Sequence, residues 1–318
     1  TALRAARPRG RRELPLQVWP RVCRSRSPRM AADGAYCKEW AGAGEVRQLP
    51  SEQFLTGYLA CLAVASLGAA SLVKLLPQKR LGGALEAAGV GLSKIAGTVQ
   101  EIERKVFHLS GLLVPLVYQV LLQRGFPKQF CASICWSLTA AGVTADLMRI
   151  HVPFVQRHWP LNNILREHER GQLCGSSHFA IGSTLAIQLF HPAVAMTSIV
   201  FLVLGDLLAA IVGKSFGRSF CGMKVGVGGR KSVEGSAAMF LSCFVAGCVA
   251  FSQVHLREYA VFLGALSATL VELYEPFGVN DNVSIPVFAS LAMTFGFHRT
   301  LPCRPERSPL LWYASVGS

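Results

Sequence analysis

The feature that most constrains this chain is a succession of long apolar runs separated by short polar connections. A helix that crosses a bilayer takes about 20 mostly apolar residues. Eight segments approach that description, at roughly 54–76, 107–123, 130–148, 175–190, 193–213, 236–254, 258–276 and 283–298. The fifth, from Ala193 through Ile199 and Leu204 to Gly213, has Asp206 as its only charge. The second, fourth and eighth are short. Only 16% of the residues are charged, where a soluble domain carries about 25%. That is too few to cover a water-facing surface, so a soluble enzyme is not expected. Gly, Ala and Ser recur within the runs, as at Gly57, Gly68 and Ser236, and small residues let membrane helices approach closely. The expected fold is all-α: a polytopic membrane helix bundle of about eight transmembrane helices, over residues 51–298.

The flanks differ in kind. Residues 1–50 lack periodicity and hold 11 Lys and Arg against 4 Asp and Glu, half of the net charge of +14. They read as a disordered basic leader, either a transit segment or sequence ahead of a true start at Met30. Residues 299–318, with Pro302, Pro305 and Pro309, read as a loose polar tail. Connections after the first, third, fifth and seventh spans carry 14 basic residues, from Lys79 to Lys231, while the others hold Arg124, Lys128 and Arg257. The bias of Lys and Arg toward the inner side assigns the richer face to the cytosol. Basic residues interleaved with apolar runs suit a lipid bilayer or a phosphate-bearing ligand, and nucleic acid is not expected. The ten cysteines form no Cys-x-x-Cys pair, and those inside apolar runs read as small core residues.

Ionisable groups at membrane depth are costly and mark candidate functional sites. Four clusters fall on the same expected face. In Glu103-Arg104-Lys105-Val106-Phe107-His108, Arg104, Lys105 and His108 sit at helical spacings of three and four and can share a face. Two cations and an imidazole suit a phosphate. Gly205-Asp206 through Gly213-Lys214 places a carboxylate among small residues; with ligand phosphates it suits Mg²⁺. Gly226 through Gly229, then Arg230-Lys231-Ser232-Val233-Glu234-Gly235, feeds cations and a hydroxyl into a helix start, which is an anion site. It is not a Walker A loop, because Arg230 separates Gly229 from Lys231. Finally, Glu272 and Glu275 precede Asn280-Asp281-Asn282, a set suited to metal binding or to removing a proton from a hydroxyl. Asp146 and Arg149 are three apart and read as a local ion pair or a further candidate. Cations for a polyphosphate, carboxylates for Mg²⁺ and a base, all at a membrane boundary, describe phosphoryl or nucleotidyl transfer to a lipid head group.

At these residues the chain resembles the CTP-dependent membrane lipid kinases, the group of yeast-type diacylglycerol kinase, dolichol kinase and phytol kinase. The matching stretches are ERKVFH at 103–108, GDLLAAIVGKSFGR at 205–218, RKSVEGSAAMF at 230–240 and NDNVSIP at 280–286. The resemblance implies CTP as phosphoryl donor, Mg²⁺ or another divalent cation, and a membrane-dissolved lipid alcohol as acceptor. It carries over Arg104, Lys105, His108, Lys214, Gly217, Ser232, Gly235 and Asn282 to the nucleotide, and Asp206, Lys231, Glu234 and Asp281 to catalysis. Asp206 and Glu234 are expected on the metal, Asp281 on the acceptor hydroxyl, and Lys105, Lys214 and Lys231 on the phosphates.

Within the group, the short chain and the acidic pair Glu272 and Glu275 favour diacylglycerol as acceptor, giving phosphatidate at the endoplasmic reticulum. A plastid phytol kinase is the alternative, because the leader resembles a transit peptide; a dolichol kinase would carry more spans. Phosphatidate cytidylyltransferases end in a Lys-Asp pair and a Pro-Gly-His-Gly-Gly run, and this chain has neither. A transporter would gather its charges near the midplane, whereas these gather at one face.

Overall fold

In a computed structural model, the described residues are 50–75, 108–158, 171–217, 223–226, 231–254 and 256–300, with 83, 84, 86, 87, 105 and 229. The expected leader at 1–50 lies outside them except for Pro50, and so does the tail beyond Thr300. Helix α1 spans Glu52–Leu75. A 3-10 turn at Ser110–Leu112 leads into α2, Leu113–Gln123. Then come α3 at Lys128–His151, α4 at Pro153–Arg157, and α5 at Gly175–Leu189. Helix α6, Pro192–Val200, continues through a π turn at Phe201–Gly205 into α7, Asp206–Phe216. Strands β1, Lys224–Val225, and β2, Lys231–Ser232, pair antiparallel. Helices α8, Val233–Ala250, α9, Arg257–Tyr274, and α10, Asp281–Thr300, complete the bundle.

This is an all-α membrane protein, and each of the eight expected segments coincides with a helix. Among the described residues, three helices are long and apolar enough to cross a membrane: Lys128–His151, Pro192–Phe216 and Val233–Ala250. Ser110–Gln123 is apolar but shorter. Helix α5, with 15 residues, reaches only about 22 Å at 1.5 Å per residue, less than a hydrocarbon core of about 30 Å. The fifth segment runs past its expected end at 213, so Asp206 lies more than two turns inside a continuous helix.

Local chemistry sets the boundaries. Val152 precedes Pro153 and is extended, at φ −110° and ψ 107°. The ring of a proline disfavours the helical region for the residue before it, which ends α3 and turns the chain into α4. Pro192 occupies the first position of α6, where no backbone donor is needed, and His191 Nδ1 accepts from Ala193 N. Ser232 Oγ accepts from Gly235 N at 3.1 Å and caps α8.

The core lies along α6, α8, α9 and α10: Val200, Phe201, Met239, Cys243, Ala265 and Met293 are buried. At Gly264 a Cβ would lie 2.3 Å from Met293 Cγ, and at Gly296 2.5 Å from Ala260 Cα. With lipid as apolar as the side chains, van der Waals contact rather than hydrophobic expulsion drives helix association, and backbone proximity supplies it. Polar contacts add to this. Ser290 Oγ donates to Ser198 Oγ at 2.7 Å between α10 and α6, and the Tyr58 hydroxyl donates to the Ala246 carbonyl between α1 and α8.

A second polar device fastens α5 to α3. Asp146 and Arg149 are each 1% exposed. Asp146 Oδ1 accepts from Arg149 Nε at 2.7 Å, while Oδ2 accepts from Cys174 N at 2.7 Å and Ser177 Oγ at 2.9 Å. Arg149 Nη2 donates to the Gln172 carbonyl. Asp146 thus holds the first turn of α5. Replacing it by Ala leaves a buried guanidinium without its carboxylate, a loss of about 3–5 kcal/mol. The expected outcome is a clear fall in the thermal unfolding midpoint in detergent for Asp146→Ala, and a smaller fall for the double variant with Arg149→Met.

Candidate functional site

The four sequence clusters converge on one charged site. Lys105 Nζ donates to Asp206 Oδ2, joining the first cluster to the second. The Lys105 side chain is 5% exposed and that of Asp206 16%. Lys231 Nζ, on β2, donates to Glu272 Oε1 at 2.5 Å, joining the third cluster to α9. Asp206 also interacts electrostatically with His108 and Lys231. Asp281 at the start of α10 interacts with Asp206, Lys231 and Lys105, and Glu272 with Lys231, Asp206 and Asp281. Two ammonium groups, three carboxylates and an imidazole therefore share one electrostatic neighbourhood.

Backbone contacts explain how these segments meet. At Gly235 a Cβ would lie 2.8 Å from the Ala209 carbonyl oxygen and 3.2 Å from Gly213 Cα, so the start of α8 crosses α7 backbone to backbone. A Cβ at Gly217 would lie 3.2 Å from Ser232 Oγ. Gly226, at φ +80°, turns the hairpin in the left-handed region; a Cβ there would meet the Leu273 carbonyl oxygen at 2.6 Å. Gly182 of α5 faces α10, where its Cβ would lie 2.3 Å from the Asn282 carbonyl oxygen. Pro286 lacks the donor that would otherwise bond that carbonyl four residues back. Asn282 N donates to Asp281 Oδ1 and to Asn280 Oδ1, tightening this helix start.

Lys231 carries the most legible electrostatics. Burial opposes its charge, but the Glu272 carboxylate, with Asp281 and Asp206 beyond it, holds the ammonium above its usual range. It therefore stays protonated through the neutral range.

The remaining candidates take distinct places. Glu234 and Gly235 lie in the first turn of α8. Lys214 is exposed on the last turn of α7, and Gly217 caps that helix. Glu275 caps α9 in the left-handed region at φ 41°. Asp146 belongs to the α3–α5 network, and its hydrogen-bond partners are Arg149, Cys174 and Ser177. Arg104 lies outside the described residues. Among the described residues no three His, Cys, Asp or Glu side chains are grouped to hold a metal ion, and Asp206 is already engaged by Lys105.

Sequence reasoning missed the π turn immediately before Asp206. Such turns insert one residue into a helix and recur at functional sites, but an unbroken apolar run carries no signal for one. It also missed which cation meets which carboxylate. The rule that ions at membrane depth must be paired points to pairing without selecting partners.

No protein-family profile matches the chain, and no solved structure matches it. Three curated relatives do. An uncharacterized protein of Rickettsia prowazekii (strain Madrid E) is 28% identical over 204 residues, covering 61% of this chain and 93% of that protein. The "CTP-dependent diacylglycerol kinase 1" of Saccharomyces cerevisiae is 26% identical over 222 residues, 62% of this chain and 73% of the kinase. The "Probable phytol kinase, chloroplastic" of Triticum aestivum is 26% identical over 215 residues, 63% of this chain and 69% of that protein. The fold and the charged site thus define a helical membrane protein with distant relatives among lipid kinases.

The close approach at Gly182 yields a test of the site's framework. Gly182→Ala drives a methyl into the α10 backbone and is expected to cost about 1–3 kcal/mol, read as a lowered thermal midpoint. Gly57→Ala, on α1 where nothing lies within 4 Å of the added carbon, is the control and should leave the midpoint unchanged or raise it.

Proposed function

We propose that this chain is a CTP-dependent lipid kinase, moving the γ-phosphate of CTP to the hydroxyl of a membrane lipid, with diacylglycerol as acceptor and phosphatidate as product. The observation that carries the reading is the convergence of Lys105, His108, Asp206, Lys231, Glu272 and Asp281, from segments far apart in sequence, into one charged site of a membrane bundle. Phosphoryl transfer asks a protein chiefly for positioning and for charge to offset the phosphates, and this set supplies both.

In this reading Lys231, Lys105 and Lys214 face the phosphates, with Arg104, His108, Gly217, Ser232, Gly235 and Asn282 completing the nucleotide site. Asp206 and Glu234 face a divalent ion that arrives with the nucleotide. The acceptor oxygen attacks the γ-phosphorus, the bond from that phosphorus to the β-bridging oxygen breaks, and CDP leaves. The hydroxyl proton passes to Asp281. The site faces the cytosol at the endoplasmic reticulum membrane. Phytol is the second acceptor, favoured by the Triticum relative, whose identity to this chain equals that of the yeast kinase; a plastid membrane would then be the location. Dolichol is the third.

The test uses γ-labelled CTP with the purified full chain in mixed micelles, offering diacylglycerol, phytol and dolichol separately, and ATP as control donor. Labelled phosphatidate from CTP alone is the expected outcome. Labelled phytyl or dolichyl phosphate would change the acceptor and keep the chemistry; no transfer to any acceptor by folded protein would overturn the reading. Asp206→Asn and Lys231→Ala are each expected to lower turnover by about 100-fold or more with expression retained, and full activity in either would remove that residue from the machinery.

A further inference from the structure

We infer that Glu272 is a positioning residue that acts through Lys231, a role that rests on the kinase reading of the site. Its side chain is 6% exposed, whereas that of Lys231 is 31% exposed. The carboxylate is the more deeply buried partner, and the lysine side chain keeps part of its surface exposed. An ammonium has three donors. One is given to Glu272 Oε1 at 2.5 Å, which leaves the others for phosphate oxygens.

The hairpin that carries Lys231 is docked on the last turn of α9 at two adjacent residues. Gly226 approaches the Leu273 carbonyl so closely that a Cβ would lie 2.6 Å from it. Lys231 meets Glu272, the residue before Leu273. Val225, beside Gly226, is the strand partner of Lys231, so the backbone and side-chain contacts brace the same point. A lysine on a two-residue strand would otherwise sample many rotamers, an entropic cost met when a ligand immobilises it. Glu272 meets that ordering cost in the folded protein before any ligand arrives.

This assigns Glu272 a different task from Asp281. Glu272 does not touch the acceptor and takes no proton; it sets where a phosphate-binding cation stands. Its removal should therefore appear in nucleotide affinity and should vanish when Lys231 is already absent.

The experiment is a double-mutant cycle in the full chain in mixed micelles, with Glu272→Gln, Lys231→Gln and the double variant. CTP binding is measured at equilibrium alongside kcat and KM. Glu272→Gln is expected to weaken CTP binding about tenfold, Glu272→Asp to restore part of that loss, and the double variant to bind no worse than Lys231→Gln alone. Additive losses would overturn the inference. So would a fall in kcat with CTP affinity unchanged, which would make Glu272 a group acting on the acceptor. Thermal midpoints of all variants separate these effects from misfolding: if Glu272→Gln unfolds, the milder Glu272→Asp, expected at an intermediate affinity with Lys231 present and no effect in its absence, decides. A wild-type chain that neither binds CTP nor transfers its phosphate overturns the kinase reading itself, whereas CTP binding with additive losses overturns the inference alone.

Discussion

The ion pair between Lys105 and Asp206 is the constraint on which the rest of the site depends. Asp206 lies well inside a continuous apolar helix, where an unpaired carboxylate would be expensive. Its partner comes from 101 residues earlier in the chain. Satisfying that one charge therefore fixes Lys105 against the Pro192–Phe216 span. His108, three residues after Lys105, is brought into the same field. Breaking such a pair by removing one partner leaves the other charge buried and uncompensated, which costs more than the pair contributes. Charge pairing here sets geometry first and stability second.

Backbone proximity supplies what charge alone cannot. An ion pair tolerates a range of helix crossings, but the contacts at Gly235 on α7, Gly226 on Leu273 and Gly182 on Asn282 do not. Each forbids a Cβ, so each allows one separation between two elements. Together they bring α7, the hairpin, the end of α9 and the start of α10 into one cluster, and α5 supports α10 from behind. The Asp146 network then anchors α5 to α3. The charged site is thus held by small residues and satisfied polar groups, with the apolar core along α6, α8, α9 and α10 as its base.

The parts legible in the sequence were those encoded locally. Apolar runs specify helices because backbone groups in lipid must bond within the segment, and every expected run carries one. Ser232 as a helix cap is a local signal too, as is the three-residue spacing of Asp146 and Arg149. The pairings were not legible. Nothing in the spacing of Lys105, Asp206, Lys231 and Glu272 says which cation meets which carboxylate, because that choice follows from helix crossings set by glycines far away in the chain. The stretch from Gly226 to Gly229 read as a phosphate-binding loop; its docking on the Leu273 carbonyl depends on α9, which local sequence cannot reveal. The π turn before Asp206 is silent for a similar reason, since Phe201-Leu202-Val203-Leu204-Gly205 is as good an α-helix as its neighbours.

The two ion pairs also bear on how such a site can exist without a ligand. Two ammonium groups gathered in one partly buried site repel each other, and little water is present there to screen them. Placing a carboxylate beside each offsets that repulsion in the folded chain. The pairs are not equivalent. Lys105 and Asp206 are both largely buried, whereas Lys231 keeps the more open face over a buried Glu272. On the kinase reading, an incoming phosphate then meets Lys231 first, already charged and already oriented, while the deeper pair must exchange partners for the ligand to be fully seated. On that reading, the carboxylates that pair the two cations would also set the order in which those cations are engaged.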